Sequence, residues 1–118
     1  EYRIVHALDG YDEISLTGDV KVISPEKEEL LSPHQLSEKQ LDPTAIRGGN
    51  TVESSAKIFI DILKGKGTQA QNTVVIANSA MAIHTAFPNK TREECREMAI
   101  ESLRSGKANQ AFNTLLTL

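Results

Sequence analysis

The stretch from Thr73 to Phe87 constrains the fold more than any other part of the chain. Val74, Val75, Ile76, Ala77, Ala80, Met81, Ala82 and Ile83 make it apolar on nearly every side. Propensity alone allows a strand in its first half. Its length points to a helix, and a helix that is apolar all round has to be buried. Pro88-Asn89 closes it, because proline cannot continue the backbone ladder.

Upstream the pattern is strand-like. Residues 3–8 read as a short buried strand. Ile14 and Leu16 alternate with Ser15 and Thr17, and Val20–Ile23 follows the turn dipeptide Gly18-Asp19. Residues 13–24 are therefore predicted as a hairpin around that turn. From Glu26 to Gln40 the chain is polar, an extended connection with a strand-like piece near Glu28–Leu31. Leu41-Asp42-Pro43 opens a short helical turn through Ile46.

Downstream of Gly48-Gly49 the period becomes helical. Asn50 with Glu53 has capping-box spacing, and Val52, Ala56, Phe59, Ile60 and Leu63 form one stripe, ended by Gly65 and Gly67. Thr91 with Glu94 is a second such box, opening a helix to Arg104 with Cys95, Met98, Ala99 and Leu103 inward. After Gly106, a last stripe is made by Ala108, Ala111, Phe112, Leu115 and Leu118. Strands and a hairpin followed by about four helices give an α/β chain.

A length of 118 residues allows one compact domain. The net charge of −3 disfavours a nucleic-acid or anionic-membrane surface. No apolar run has the length of a membrane span, and no signal peptide is recognisable. The single Cys95 excludes an internal disulfide and reads as a small buried apolar residue; one free thiol fits a reducing cytoplasm. The chain starts with Glu1-Tyr2-Arg3 running straight into a strand, which is expected of the C-terminal piece of a longer protein.

One motif carries chemistry. Leu8-Asp9-Gly10-Tyr11-Asp12-Glu13 sets three carboxylates around a glycine at the end of the first strand, and strand C-termini are where α/β sheets place ligands. Mg²⁺ takes one or two carboxylates and completes its shell with water and phosphate oxygens. Adjacent side chains on an extended strand point apart, so Asp12 and Glu13 converge only in a loop. Gly10 permits the sharp path that this needs. The same residues also read as a solvated acidic turn. His6, His34 and His84 are candidate bases by residue type only, placed in a strand, a polar connection and a buried helix.

The segment Arg3–Ser15 resembles the C-terminal half of the anthranilate phosphoribosyltransferase family, which carries a "V-x-G-x-D-G-x-D-E" type strand and loop. The likeness continues in order through Ile46-Arg47-Gly48-Gly49-Asn50, Ile62-Leu63-Lys64-Gly65, Val75–Ala80 and Ser105-Gly106-Lys107-Ala108. Ala7 stands where a glycine is common.

The resemblance implies an enzyme that moves the phosphoribosyl group of phosphoribosyl pyrophosphate to anthranilate in tryptophan biosynthesis. It implies a Mg²⁺ cofactor held by the residues matching Asp12 and Glu13, with Asp9 left as a turn residue. It further implies a cytoplasmic homodimer, built from a helical domain and a phosphorylase-type α/β domain of which residues 1–118 are the C-terminal part. The family's Gly-Thr-Gly-Gly-Asp phosphate loop is absent from these residues, so this chain alone is expected to be inactive. Gly48-Gly49 reads as a helix-entry turn and does not replace that loop. No catalytic base and no anthranilate-binding residue is assigned.

Two other readings stand beside this one. A pyrimidine-nucleoside phosphorylase shares the fold, but its phosphate nucleophile does not call for a metal-bound pyrophosphate. A non-catalytic nucleic-acid-binding relative is disfavoured by the charge.

Overall fold

The computed structural model describes residues 1–37 and 39–118. Three short strands, β1 (Ile4–Ala7), β2 (Val20–Ile23) and β3 (Glu28–Leu31), form one antiparallel sheet in the order β1-β2-β3. Five helices follow: α1 (Pro33–Leu36), α2 (Val52–Leu63), α3 (Gln69–Ala86), α4 (Arg92–Arg104) and α5 (Lys107–Leu116). A 3₁₀ turn at Pro43–Ile46 lies between α1 and α2, opened by Asp42, whose carboxylate accepts from the Thr44 N–H at 2.8 Å.

The expected hairpin around Gly18-Asp19 is corrected. The tight turn lies at residues 24–27, joining β2 to β3, with Val20 opposite Leu31 and Ile23 opposite Glu28. Residues 14–17 form no strand. Their alternation misleads because the whole run is enclosed: Ile14, Ser15, Leu16 and Thr17 are all buried. Period two reports a strand only when one face meets water. The first strand is also corrected from a buried strand to an edge strand, with only Ala7 fully enclosed.

The core joins the sheet to α3. Ile14, Leu16, Val20, Val22, Leu31 and Leu41 pack with Ala77 and Met81. Each buried Val, Leu or Ile contributes about 1.5–3 kcal/mol relative to exposure. Helix α3 starts four residues before the predicted Thr73, at Gln69, capped by Thr68 and Gln71 in a capping box. It is half-buried along most of its length, with Ala77 and Met81 fully enclosed. The apolar cover expected all round is therefore incomplete.

Helix α4 packs on α3. The Thr91–Glu94 box forms as read, with the Thr91 N–H donating to Glu94 Oε2 at 2.7 Å and the Glu94 N–H to Thr91 Oγ1 at 3.1 Å. Cys95, Ala99 and Leu103 are buried, whereas Met98 turns to the exposed side. Replacing Thr91 with Ala removes this cap, and a loss of about 1 kcal/mol in urea unfolding is expected. Arg92 ties the start of α4 to the sheet through two bonds to the Glu29 carboxylate, at 2.7 and 2.8 Å.

The cap of α2 is Thr51 with Ser54, in place of the predicted Asn50 with Glu53. Thr51 Oγ1 reaches the Ser54 N–H at 3.0 Å, so the Asn-Glu spacing was one residue out of phase. Gly49 lies against this first turn; a Cβ there would stand 2.6 Å from the Ser55 nitrogen. That close approach fits a helix-entry turn. The stripes of α2 and α5 are only partly covered: Phe59 of α2 meets Phe112 of α5 edge to face at 5.0 Å, while Val52 of α2 and Leu115 of α5 remain exposed. No helix among the described residues is long and apolar enough to cross a membrane.

Candidate metal-binding loop

The connection from β1 to β2 holds the acidic motif. Residues 8–19 contain four carboxylates and no Lys or Arg, a local charge that favours a cation. The loop is closed at its neck, where the Leu8 N–H donates to the Asp19 carbonyl at 2.9 Å and continues the β1–β2 ladder. Gly10 then takes φ +97°, a left-handed conformation costly to any side chain, and its N–H returns to the Ala7 carbonyl at 3.1 Å.

Asp9 is more than a turn residue. Its carboxylate accepts from Ser15 Oγ at 3.2 Å and from Thr17 Oγ1, latching the start of the loop to its end. The Thr17 hydroxyl and N–H also bond Ser15 Oγ at 2.9 and 3.2 Å. Sequence reasoning missed this latch. Its signal was the presence of two hydroxyl residues on what looked like the polar face of a strand.

Leu16 has φ +60° although it is not a glycine, and its side chain is fully buried. Such a conformation costs roughly 1–3 kcal/mol and persists only where the surroundings over-determine it. Here the Leu41 N–H donates to the Leu16 carbonyl at 2.8 Å, and Gln40 Nε2 donates to the Thr17 carbonyl at 2.5 Å. Two residues earlier, Asn78 of α3 meets both polar groups of the Ile14 backbone. Its Oδ1 accepts from the Ile14 N–H at 2.9 Å and its Nδ2 donates to the Ile14 carbonyl at 2.8 Å.

Asp12 and Glu13 occupy the bend between Gly10 and Ile14, both exposed. Neither forms an ion pair among the described residues. The pair thus lies in a loop, as convergence of adjacent side chains requires. Among the described residues no group of three or more His, Cys, Asp and Glu side chains could enclose a metal. Two exposed carboxylates are hard oxygen donors of the kind Mg²⁺ takes, with water and phosphate oxygens completing its shell.

The histidines lie elsewhere. His6 is exposed on β1. His34 sits on α1, a short helix that the sequence reading took for polar connection; position 38 of that connection lies outside the described residues. His84 is half-buried near the end of α3 and, with His34, Arg92 and Arg96, lines a cavity of about 370 Å³ that includes neither Asp12 nor Glu13. Burial, then the charges of Arg3 and Arg92, hold His84 below the usual histidine range, with Glu29 opposing and Lys27 adding to the effect.

This lowering has a sign. The unfolded chain binds the His84 proton more readily than the folded one, so stability is full above about pH 6.5 and is lost as pH falls through the folded value. The midpoint temperature of the wild type is expected to drop between pH 7.5 and 5.5, and His84→Gln is expected to flatten that profile. For Glu29, burial pushes the carboxyl up, but hydrogen bonds and charge from Lys27 and Arg92 outweigh it and lower it overall. Its contribution is present above about pH 4.3 and lost on further acidification.

The family profile described as "Glycosyl transferase family, a/b domain" matches residues 1–109. The chain belongs to this family. Within it, the glycosyl transferase a/b domain described here is 52% identical over 117 residues to the anthranilate phosphoribosyltransferase of Christiangramia forsetii. It is 48% identical to that of Flavobacterium johnsoniae over 117 residues, and 45% identical to that of Bacteroides thetaiotaomicron over 118. These matches cover 99%, 99% and 100% of the chain but 35%, 35% and 36% of the relatives. The chain thus spans about a third of the length of the curated relatives it matches.

Proposed function

We propose that these residues form the C-terminal part of the catalytic α/β domain of an anthranilate phosphoribosyltransferase, acting in tryptophan biosynthesis. The observation that carries this reading is an exposed Asp12–Glu13 pair in a braced loop, within a chain 52% identical over 117 residues to a protein of that name.

The reaction joins the anthranilate nitrogen to C1 of the ribose. The C1–O bond to pyrophosphate breaks, its electron pair leaves with pyrophosphate, and the nitrogen gives up a proton. Mg²⁺, when bound, neutralises and orients the pyrophosphate leaving group. Asp12 and Glu13 would hold that ion on the loop, and the chain's own contribution is to present both carboxylates exposed and, among the described residues, outside any ion pair. The presence of the adjacent Asp12–Glu13 pair favours this reading over a phosphorylase, whose nucleophile is phosphate itself. No histidine of this chain is assigned the proton. Assembly as a homodimer and a cytoplasmic location belong to the same proposal, as expected of a biosynthetic enzyme of this family.

The test is turnover. The full-length protein is expected to consume anthranilate only when phosphoribosyl pyrophosphate and Mg²⁺ are both present, with release of pyrophosphate. The 118-residue chain alone is expected to show none, because it lacks the phosphate loop. Phosphorolysis of a pyrimidine nucleoside by the full-length protein, without anthranilate consumption, would overturn the assignment.

A further inference from the structure

We propose that Asn78 is a positioning residue for the Asp12–Glu13 pair, acting through the backbone of Ile14. The inference rests on the reading of that pair as the Mg²⁺ ligands.

One side-chain amide satisfies both polar groups of one loop residue across 64 positions of sequence, with bonds of 2.9 and 2.8 Å. A third bond fixes the amide itself: Nδ2 also donates to the Val74 carbonyl at 2.9 Å, one turn earlier on α3. The orientation of the amide is therefore dictated. The Ile14 N–H can only donate, so Oδ1 faces it, and the carbonyls of Ile14 and Val74 can only accept, so Nδ2 faces them.

The consequence falls on Glu13. The Ile14 N–H shares its peptide plane with the Glu13 carbonyl. Holding that plane against a helix fixes where the backbone leaves Glu13, and so anchors the C-terminal end of the acidic segment. The Asp9 latch closes the loop on itself. The Asn78 contact ties the segment just after the acidic pair to the α3 scaffold. Groups that orient metal ligands typically change metal affinity or activity by about 10–100-fold when altered.

Asn78→Asp keeps the shape but cannot donate to Ile14 or Val74, and it adds a charge beside an acidic loop. Asn78→Gln keeps the amide, displaced by one methylene. In the full-length enzyme, the Mg²⁺ concentration that half-saturates the tightening of phosphoribosyl pyrophosphate binding, read by calorimetric titration, and the one giving half-maximal turnover are both expected to rise by about 10-fold or more in Asn78→Asp, and by less in Asn78→Gln. Leu103→Ala, in the buried face of α4, is the comparison for lost stability alone. It is expected to lower the unfolding midpoint and leave the Mg²⁺ midpoint in place.

If Asn78→Asp fails to fold, Asn78→Gln decides. A wild-type Mg²⁺ midpoint in every folded Asn78 variant overturns the proposal, provided that Asp12→Asn with Glu13→Gln still abolishes the Mg²⁺ response. If that double variant responds to Mg²⁺ as the wild type does, the reading of the pair has failed instead.

Discussion

With Asp12→Asn and Glu13→Gln together, the full-length protein is expected to lose roughly 10²–10³-fold in kcat/KM at any fixed Mg²⁺ concentration. That is the scale on which a preorganised group stabilising developing charge usually counts. The loss should fall on turnover rather than on folding. Both side chains are exposed, and neither forms an ion pair among the described residues. Surface substitutions away from such bonds usually stay within about 0.5 kcal/mol. Removing two of the four negative charges in residues 8–19 also relieves repulsion in the loop. An unchanged or slightly raised unfolding midpoint beside a large kinetic loss is thus the signature expected of ligands. A matching loss of stability would mark the pair as structural.

The second large effect concerns Leu16. Its side chain is wholly enclosed in the cluster of Ile14, Val20, Val22 and Met81, so Leu16→Ala is expected to cost about 2–5 kcal/mol in urea unfolding. Its backbone at φ +60° adds a second term with the opposite sign for glycine. Alanine keeps the left-handed penalty; glycine removes roughly 1–2 kcal/mol of it while losing one more methyl group. Leu16→Gly is therefore expected to be no worse than Leu16→Ala, reversing the usual order of the two residues. A glycine variant clearly less stable than the alanine one would mean that the positive φ carries no strain.

The helices were largely legible in the sequence because their signals are local. Thr91 and Glu94 cap each other within one turn, and Cys95, Ala99 and Leu103 repeat at the helical period. The short strand at Glu28–Leu31 was also legible. The misread strand was a long-range failure. Ile14–Thr17 alternates like a strand, yet both of its faces are covered, one by the apolar core and the other by the Asp9 latch and the chain around Gln40. The start of α3 was set four residues late because the reading followed apolar content. The true signal was the polar capping box of Thr68 and Gln71.

At the site, the acidic pair was legible as residue types in a glycine-containing turn. Its bracing by Asn78 was not, since the two partners lie 64 residues apart and no local period links them. The same limit explains the stripe of α2. Its spacing is helical, but spacing alone does not say what covers it, and Val52 remains 81% exposed.

Asp12 and Glu13 are proposed to bind Mg²⁺ together with the pyrophosphate group of the substrate. Calorimetric titration of phosphoribosyl pyrophosphate into the full-length protein, with and without Mg²⁺, tests it most directly. The account predicts that Mg²⁺ tightens binding to the wild type and has little effect on the protein carrying Asp12→Asn with Glu13→Gln. The same Mg²⁺-dependent tightening in both proteins would contradict it.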